Sequence, residues 1–372
     1  MTRLLSRAVA LAVIIASSFV SSLSAQARPV VEVAFVLDTT GSMASLIEGA
    51  KRKIWSIATT IIDENPGADI RIGLVAYRDI GDEYVTRRFE LTADIQDLYA
   101  RLLELKARGG GDWAESVNEA LHDAVTKLSW SQDPGAVRIM FLVGDAPPHM
   151  DYAQDMKYPQ VLALARQRDI VVNAVQAGEA RDTMRVWREV AQMGHGVYIP
   201  IPQDGGKVVV IETPYDIEII ELQEKLNGTV IPYGPRYKRS SVEEKTRQVA
   251  AAPAPMASDM ASYLNKRART ASAAEAITGG GDLVADVVAG RQQLSAVKDD
   301  ELPETLRAMK HEERQQAISK QMSSRKALND RMTALVKQRD AFVADQKRKQ
   351  PVRSGDSFDR AVEQTLRAQI KR

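Results

Sequence analysis

Along residues 30–200, two hydrophobic patterns alternate, and each predicts a different kind of element. Continuous apolar runs over residues 30–38 and 137–145, each ending in an aspartate, are typical of strands covered on both faces. Further strands are predicted over residues 69–79, 84–92, 170–178 and 195–201. Apolar residues at helical spacing predict helices over residues 45–62, 94–108, 117–128, 161–169 and 183–194. Strands that alternate with helices predict an α/β fold, a doubly wound and mostly parallel sheet with helices on both faces.

The pattern changes after residue 203. We expect residues 204–240 to form a helical extension packed on the α/β domain, because one amphipathic stretch follows residue 213. Residues 241–285 are rich in alanine and proline and then low in complexity, which predicts a linker. Residues 286–372 are charged and nearly free of aromatic side chains, and they predict a C-terminal α-helical region.

A narrow apolar seam runs along this last region. Its members follow a 4-3-7 spacing, and Arg339 occupies the skipped heptad position: Leu328, Met332, Leu335 and Phe342. Such a seam suits a coiled-coil contact and self-association through the C-terminal helices. A single helix that packs on the first domain explains the spacing equally well.

The composition and the first residues of the chain reduce the number of possible functions. The chain has no cysteine, which excludes disulfides and thiolate metal sites. Its formal charge of +1 gives no reason to expect nucleic-acid binding. Residues 1–27 combine two arginines, an apolar stretch and an Ala-Gln-Ala site, which predicts a cleaved secretory signal peptide. We therefore expect a periplasmic or secreted protein without stable membrane insertion, although an uncleaved anchor is the alternative.

Oxygen-bearing side chains follow both aspartate-terminated strands. The carboxyl ends of parallel strands meet at one edge of the sheet, and helix starts lie at that edge too. The loops there should bring together five residues: Asp38, Thr40, Ser42, Asp112 and Asp145. Carboxylates and hydroxyls favour Mg²⁺, Mn²⁺ or Ca²⁺ over zinc.

The segment Asp-Thr-Thr-Gly-Ser, residues 38–42, resembles the D-x-[S/T]-x-S motif of von Willebrand factor type A domains. The order of elements over residues 28–203 is also similar to that family's Rossmann-like fold. The resemblance implies a metal-ion-dependent adhesion site in which Thr40 and Ser42 bind the ion directly. It also implies a non-enzymatic module that grips an acidic side chain of a partner protein through the ion.

One departure from the family pattern concerns the middle loop. The family places a threonine where this chain has Asp112, so either Asp112 or Ser116, one helical turn later, takes that position. Two other functions remain open at this point. Asp38 is similar to the nucleophile of haloacid dehalogenase-like phosphatases, although a second acid is missing two residues later. In the other alternative, the protein is a scaffold whose metal ion only stabilises the fold.

Overall fold

The computed structural model describes residues 28–206, 211–252, 254–269, 278, 280–349 and 358–371. The predicted signal peptide, residues 1–27, lies outside this range. Within the described ranges, none of the helices combines the length and the apolar character needed to cross a membrane.

A single six-stranded sheet forms the centre of the first domain. Its strands are β1 (Val30–Asp38), β2 (Asp69–Tyr77), β3 (Thr86–Thr92), β4 (Val137–Gly144), β5 (Ile170–Ala177) and β6 (His195–Ile201). The spatial order is β3-β2-β1-β4-β5-β6, and only β3 runs antiparallel to its neighbour. The predicted doubly wound, mostly parallel sheet is thereby confirmed.

Helices cover both faces of the sheet. Strand β1 shows why, because Val31, Val33 and Leu37 enter one apolar core while Ala34 and Val36 enter the other. The helices of the domain are α1 (Ala44–Glu64), α2 (Ile95–Glu104), α3 (Val117–Thr126), α4 (Tyr158–Gln167) and α5 (Arg181–Met193). The first two contribute side chains to the core of Val31, and the other three to the core of Ala34.

The chain continues into a helical region after β6. Its helices are α6 (Asp216–Asn227), α7 (Arg236–Ala251), α8 (Ala254–Ala268), α9 (Leu283–Val288), α10 (Glu304–Arg307), α11 (His311–Lys349) and α12 (Phe358–Gln369). Helices α8 and α12 both pack on α1 and bury side chains in the core of the first domain. These two helices therefore form a covering layer of the α/β domain.

The prediction of a linker over residues 241–285 is wrong for α8. Met260, Tyr263 and Leu264 of this helix are fully or almost fully buried against the first domain, and Tyr263 packs on Trp55. Alanine is the strongest helix former, so an alanine-rich stretch with a few apolar residues is able to form a docked helix.

The apolar seam of α11 is used within the chain. Met332 and Leu335 are buried against Ile219 and Leu222 of α6, and the Phe342 ring lies 6.4 Å from the Tyr215 ring. The expected helical extension therefore packs through α6 on α8 and α11 rather than directly on the sheet. Arg339 at the skipped position forms ion pairs with Asp216 and Asp259, which explains a charge in the seam.

Candidate metal-binding site

The loop after β1 brings three of the predicted ligands together, with Thr40 and Ser42 beside the Asp38 carboxylate. Asp38 ends β1 and is fully buried, and its Oδ1 accepts hydrogen bonds from the Thr40 amide (2.8 Å) and the Thr40 hydroxyl (2.7 Å). The Ser42 hydroxyl lies 3.3 Å from the Thr40 hydroxyl and belongs to an exposed residue. The hydroxyls and the carboxylate therefore face a common point that is open to solvent on the Ser42 side.

Asp145 reaches the same point from the neighbouring strand. β1 and β4 are adjacent, and the sheet order reverses between them, which is where open α/β sheets bind ligands. Gly144 keeps the space beside Asp38 clear, since a β-carbon there would collide with the Tyr77 hydroxyl and lie 3.3 Å from Asp38 Oδ2. The Asp145 carboxylate also accepts a hydrogen bond of 2.6 Å at Oδ2 from the side-chain amide of Gln203.

The proximity of the two aspartates has an electrostatic signature. Burial raises the pKa of Asp38 to about 7, a value that includes the opposing effect of the hydrogen bonds from Thr40 and a further increase from the charge of Asp145. Asp38 Oδ2 is buried and has no hydrogen-bond partner. A buried carboxylate with one unsatisfied oxygen and an anionic neighbour is costly unless a cation completes it.

The sequence analysis missed Glu115. This residue precedes α3 and is buried, and its Oε2 also has no hydrogen-bond partner. Burial, together with the charges of Asp38 and Asp79, raises the pKa of Glu115 to about 9. The ligand atoms of Glu115, Asp38 and Asp145 do not all lie within 4.8 Å of one another, so the three acids do not form one close ligand group. No spacing rule singles out a glutamate inside a glycine-rich loop.

The structure does not bring Asp112 into this group. Its Oδ2 lies 3.4 Å from His149 Nε2, and its side chain is 62% exposed. Ser116, the other residue considered for this position, donates a hydrogen bond of 2.7 Å to Asp79 Oδ1 instead. The loop has this path because its glycines pack on the first loop, where the Gly41 amide donates to the Gly109 carbonyl at 3.2 Å.

The donor set fits a hard divalent cation. Among the described residues, no Lys or Arg forms an ion pair with Asp38, Glu115 or Asp145, so no cationic side chain balances these acids. The direct donors are oxygens of short side chains, which suit Mg²⁺, Mn²⁺ or Ca²⁺. For a phosphatase-like nucleophile, the position two residues after Asp38 should carry an acid, and Thr40 instead donates to Asp38 there.

The doubly wound sheet and the oxygen-rich loops at its switch point define a Rossmann-like α/β domain. Residues 32–212 match the family model described as the von Willebrand factor A domain. The chain therefore contains a von Willebrand factor A domain, and the resemblance carried by residues 38–42 is confirmed.

Individual relatives match about a third of the chain. The chain is 30% identical over 122 residues to the ariadne-like RING finger protein R811 of Acanthamoeba polyphaga mimivirus, and 27% identical over 127 residues to the alpha-protein kinase vwkA of Dictyostelium discoideum. Each match covers 33% of this chain, and the chain spans only 12% and 20% of the length of these two proteins.

Solved structures show similarity over about half of the chain. BatB from Bacteroides thetaiotaomicron is 17% identical with a TM-score of 0.36, covering 47% of this chain and 90% of that chain. Proximal thread matrix protein 1 from the mussel byssus, with a zinc-occupied MIDAS motif, is 14% identical with a TM-score of 0.36. That match covers 48% of this chain and 43% of the mussel chain.

Proposed function

We propose that this protein binds a partner protein through a divalent cation held at the rim of its sheet. Asp38, Thr40, Ser42 and Asp145 hold the ion, which is Mg²⁺ or, in its place, Mn²⁺ or Ca²⁺. Glu115 takes the middle-loop position that was predicted for Asp112, and it holds the ion through a bound water. An acidic side chain of the partner fills the remaining coordination position.

One observation carries this proposal. Asp38 and Asp145 lie side by side in a buried position, Asp38 Oδ2 has no partner, and no cationic side chain among the described residues pairs with either of them. A divalent cation removes this repulsion and satisfies the free oxygen at the same time.

Exposure around the group supports recognition of a macromolecule. Asp38, Thr40 and Asp145 are buried, whereas Ser42 is exposed, so the ion is reached from one side only. Loops at the same rim also carry three exposed large apolar side chains: Ile80 (52% exposed), Trp113 (50%) and Met150 (50%). Tryptophan and methionine are enriched where proteins contact each other.

The cellular setting rests on the sequence. The predicted signal peptide places the partner outside the cytoplasm, in the periplasm or the secreted fraction. Self-association through the seam of α11 is not part of the proposal, because Met332 and Leu335 are covered by α6 within the chain.

The test is a capture experiment from an envelope fraction with the full chain immobilised. A partner should be retained in Mg²⁺ and released by a chelator, and the Asp38→Ala variant should not retain it in Mg²⁺. Circular dichroism of the variant provides the control. If the ion only stabilises the fold, its loss should unfold the Asp38→Ala variant. Equal capture under all three conditions would exclude recognition through the ion.

A further inference from the structure

A second group of metal-ligand side chains lies at the same rim and contains nitrogen. Asp79 follows β2, Asp112 lies in the glycine-rich loop and His149 lies in the loop after β4. One ligand atom from each falls within 4.8 Å of the other two. His149 Nε2 is 3.4 Å from Asp79 Oδ2 and 3.4 Å from Asp112 Oδ2.

His149 Nε2 lacks a hydrogen-bond partner although it is buried. The residue is only 8% exposed, and neither carboxylate contact of Nε2 has hydrogen-bond geometry. Nδ1 lies 2.8 Å from Asp151 Oδ1, and an ionised carboxylate only accepts, so Nδ1 carries the proton. In the neutral imidazole, the Nε2 lone pair then points at two carboxylates, and a cation between them makes this arrangement favourable without a proton on Nε2.

The surrounding contacts hold the ligands in place. Asp79 accepts hydrogen bonds from the Ser116 hydroxyl at Oδ1 (2.7 Å) and from the Tyr152 hydroxyl at Oδ2 (2.8 Å). The Tyr152 ring also stacks on the His149 ring, with 4.0 Å between centroids. A histidine oriented by a carboxylate at its other nitrogen is the usual outer shell of a protein zinc ligand.

We propose that Asp79, Asp112 and His149 bind a second divalent ion of the zinc class. Ligand atoms about 2.0–2.1 Å from a tetrahedral ion are separated from each other by about 3.3–3.4 Å, which agrees with both His149 distances. Three protein ligands leave the fourth position to water. One imidazole nitrogen distinguishes this site from the all-oxygen group around Asp38.

The second ion would tie three loops together. Asp112 is the exposed member, and its backbone belongs to the loop that also contains Glu115. Binding at the second site therefore fixes the middle loop beside the first site. The inference does not depend on the proposed function, because none of its ligands belongs to the Asp38 group.

The test measures Zn²⁺ uptake by the metal-stripped full chain in excess Mg²⁺, using calorimetry and elemental analysis. The wild type should bind one Zn²⁺, and Asp112→Asn and His149→Gln should lose this uptake. Asp112 is exposed, so its variant keeps the result interpretable if His149→Gln misfolds. Asp151→Asn should weaken binding by about 10–100-fold, because Asp151 orients the histidine without touching the ion.

Two control variants make the result specific. His122→Gln alters another histidine grouped with two acids, Glu119 and Asp123, but Lys127 already pairs with both of those acids. Its Zn²⁺ uptake should equal that of the wild type, and so should that of Asp38→Ala, which separates this inference from the proposed function. No uptake by the wild type, or equal uptake by Asp112→Asn, would mean that a protonated His149 pairs with the two aspartates instead.

Discussion

Thr39 and Thr40 are neighbours of the same chemical type whose hydroxyls have opposite roles. The Thr40 hydroxyl donates to Asp38 Oδ1 and faces Ser42, whereas the Thr39 hydroxyl donates to the Tyr77 carbonyl and contacts the Tyr84 hydroxyl. One threonine therefore belongs to the candidate metal site, and the other attaches the loop to β2.

This division predicts opposite effects for two small substitutions. Ser42→Ala should weaken Mg²⁺ binding by at least about tenfold and leave the unfolding temperature unchanged, because Ser42 is exposed and supplies an ion ligand. Thr39→Ala should lower the free energy of unfolding by about 0.5–1.5 kcal/mol and leave Mg²⁺ affinity unchanged. Calorimetric titration and thermal unfolding measure both quantities. Unchanged affinity in Ser42→Ala would remove Ser42 from the site.

Asp38 illustrates a conflict between stability and ion binding. At pH 8 the ionised Asp38 is unfavourable in the folded protein, since burial and Asp145 hold its pKa near 7, whereas unfolding frees it to ionise at its usual value. Asp38→Asn keeps an acceptor for Thr40 and removes the charge. In chelator at pH 8, we expect this variant to be more stable than the wild type by about 0.5–2 kcal/mol. A loss of stability would contradict the repulsion described here.

Part of this site was predictable from the sequence, for a physical reason. Asp38 and Asp145 were predictable neighbours because they follow buried strands, and strand ends converge at a switch point. The positions of Asp112 and Glu115 were not predictable, because residues 109–111 are glycines and tertiary contacts decide the path of this loop. One such contact is the hydrogen bond from the Gly41 amide to the Gly109 carbonyl. Spacing along a loop does not say which side chain turns inward.

At the scale of elements, α12 is the least expected part of the fold. It lies far from the sheet in sequence, yet Phe358, Val362 and Leu366 are buried in the core that covers β1. Gln369 exchanges two hydrogen bonds with Asn173 of β5, at 2.8 and 3.0 Å. These contacts make α12 a structural part of the α/β domain.

Removing one apolar side chain of α12 tests this role. Leu366→Ala should lower the free energy of unfolding by about 2–5 kcal/mol, because it leaves a cavity under the helix. Gln364 is exposed on the same helix, and Gln364→Ala should have almost no effect. Urea unfolding followed by circular dichroism measures both. Similar small effects of the two substitutions would show that α12 is not docked in solution.

Strands and helices of the first domain were predictable because their periodicities are long and distinct. The helix α8 was not, because alanine and proline in residues 250–262 carry the composition of a linker while only a few apolar residues make the contact with α1. Burial of Tyr263 beside Trp55 depends on a partner surface that is distant in sequence.

At the scale of the molecule, the segment that matches the family model is not a separate unit. Helices α8 and α12 supply part of the core of the first domain, and both lie outside residues 32–212. A chain of residues 28–212 should therefore unfold at a lower temperature than the full chain and aggregate, because the apolar side chains under α8 and α12 become exposed. Thermal unfolding and size-exclusion chromatography test this. An equally stable monomer of residues 28–212 would contradict the covering role of the two helices.

The most direct test of the central claim counts Mn²⁺ ions bound by the metal-stripped Asp112→Asn chain, using the electron paramagnetic resonance signal of free Mn²⁺. This background removes the proposed second site. We predict that one Mn²⁺ remains bound and that adding Asp38→Asn to the same chain abolishes its binding while the protein stays folded. If no Mn²⁺ is bound, or if the double variant binds it equally well, the rim of the sheet around Asp38 is not a cation site.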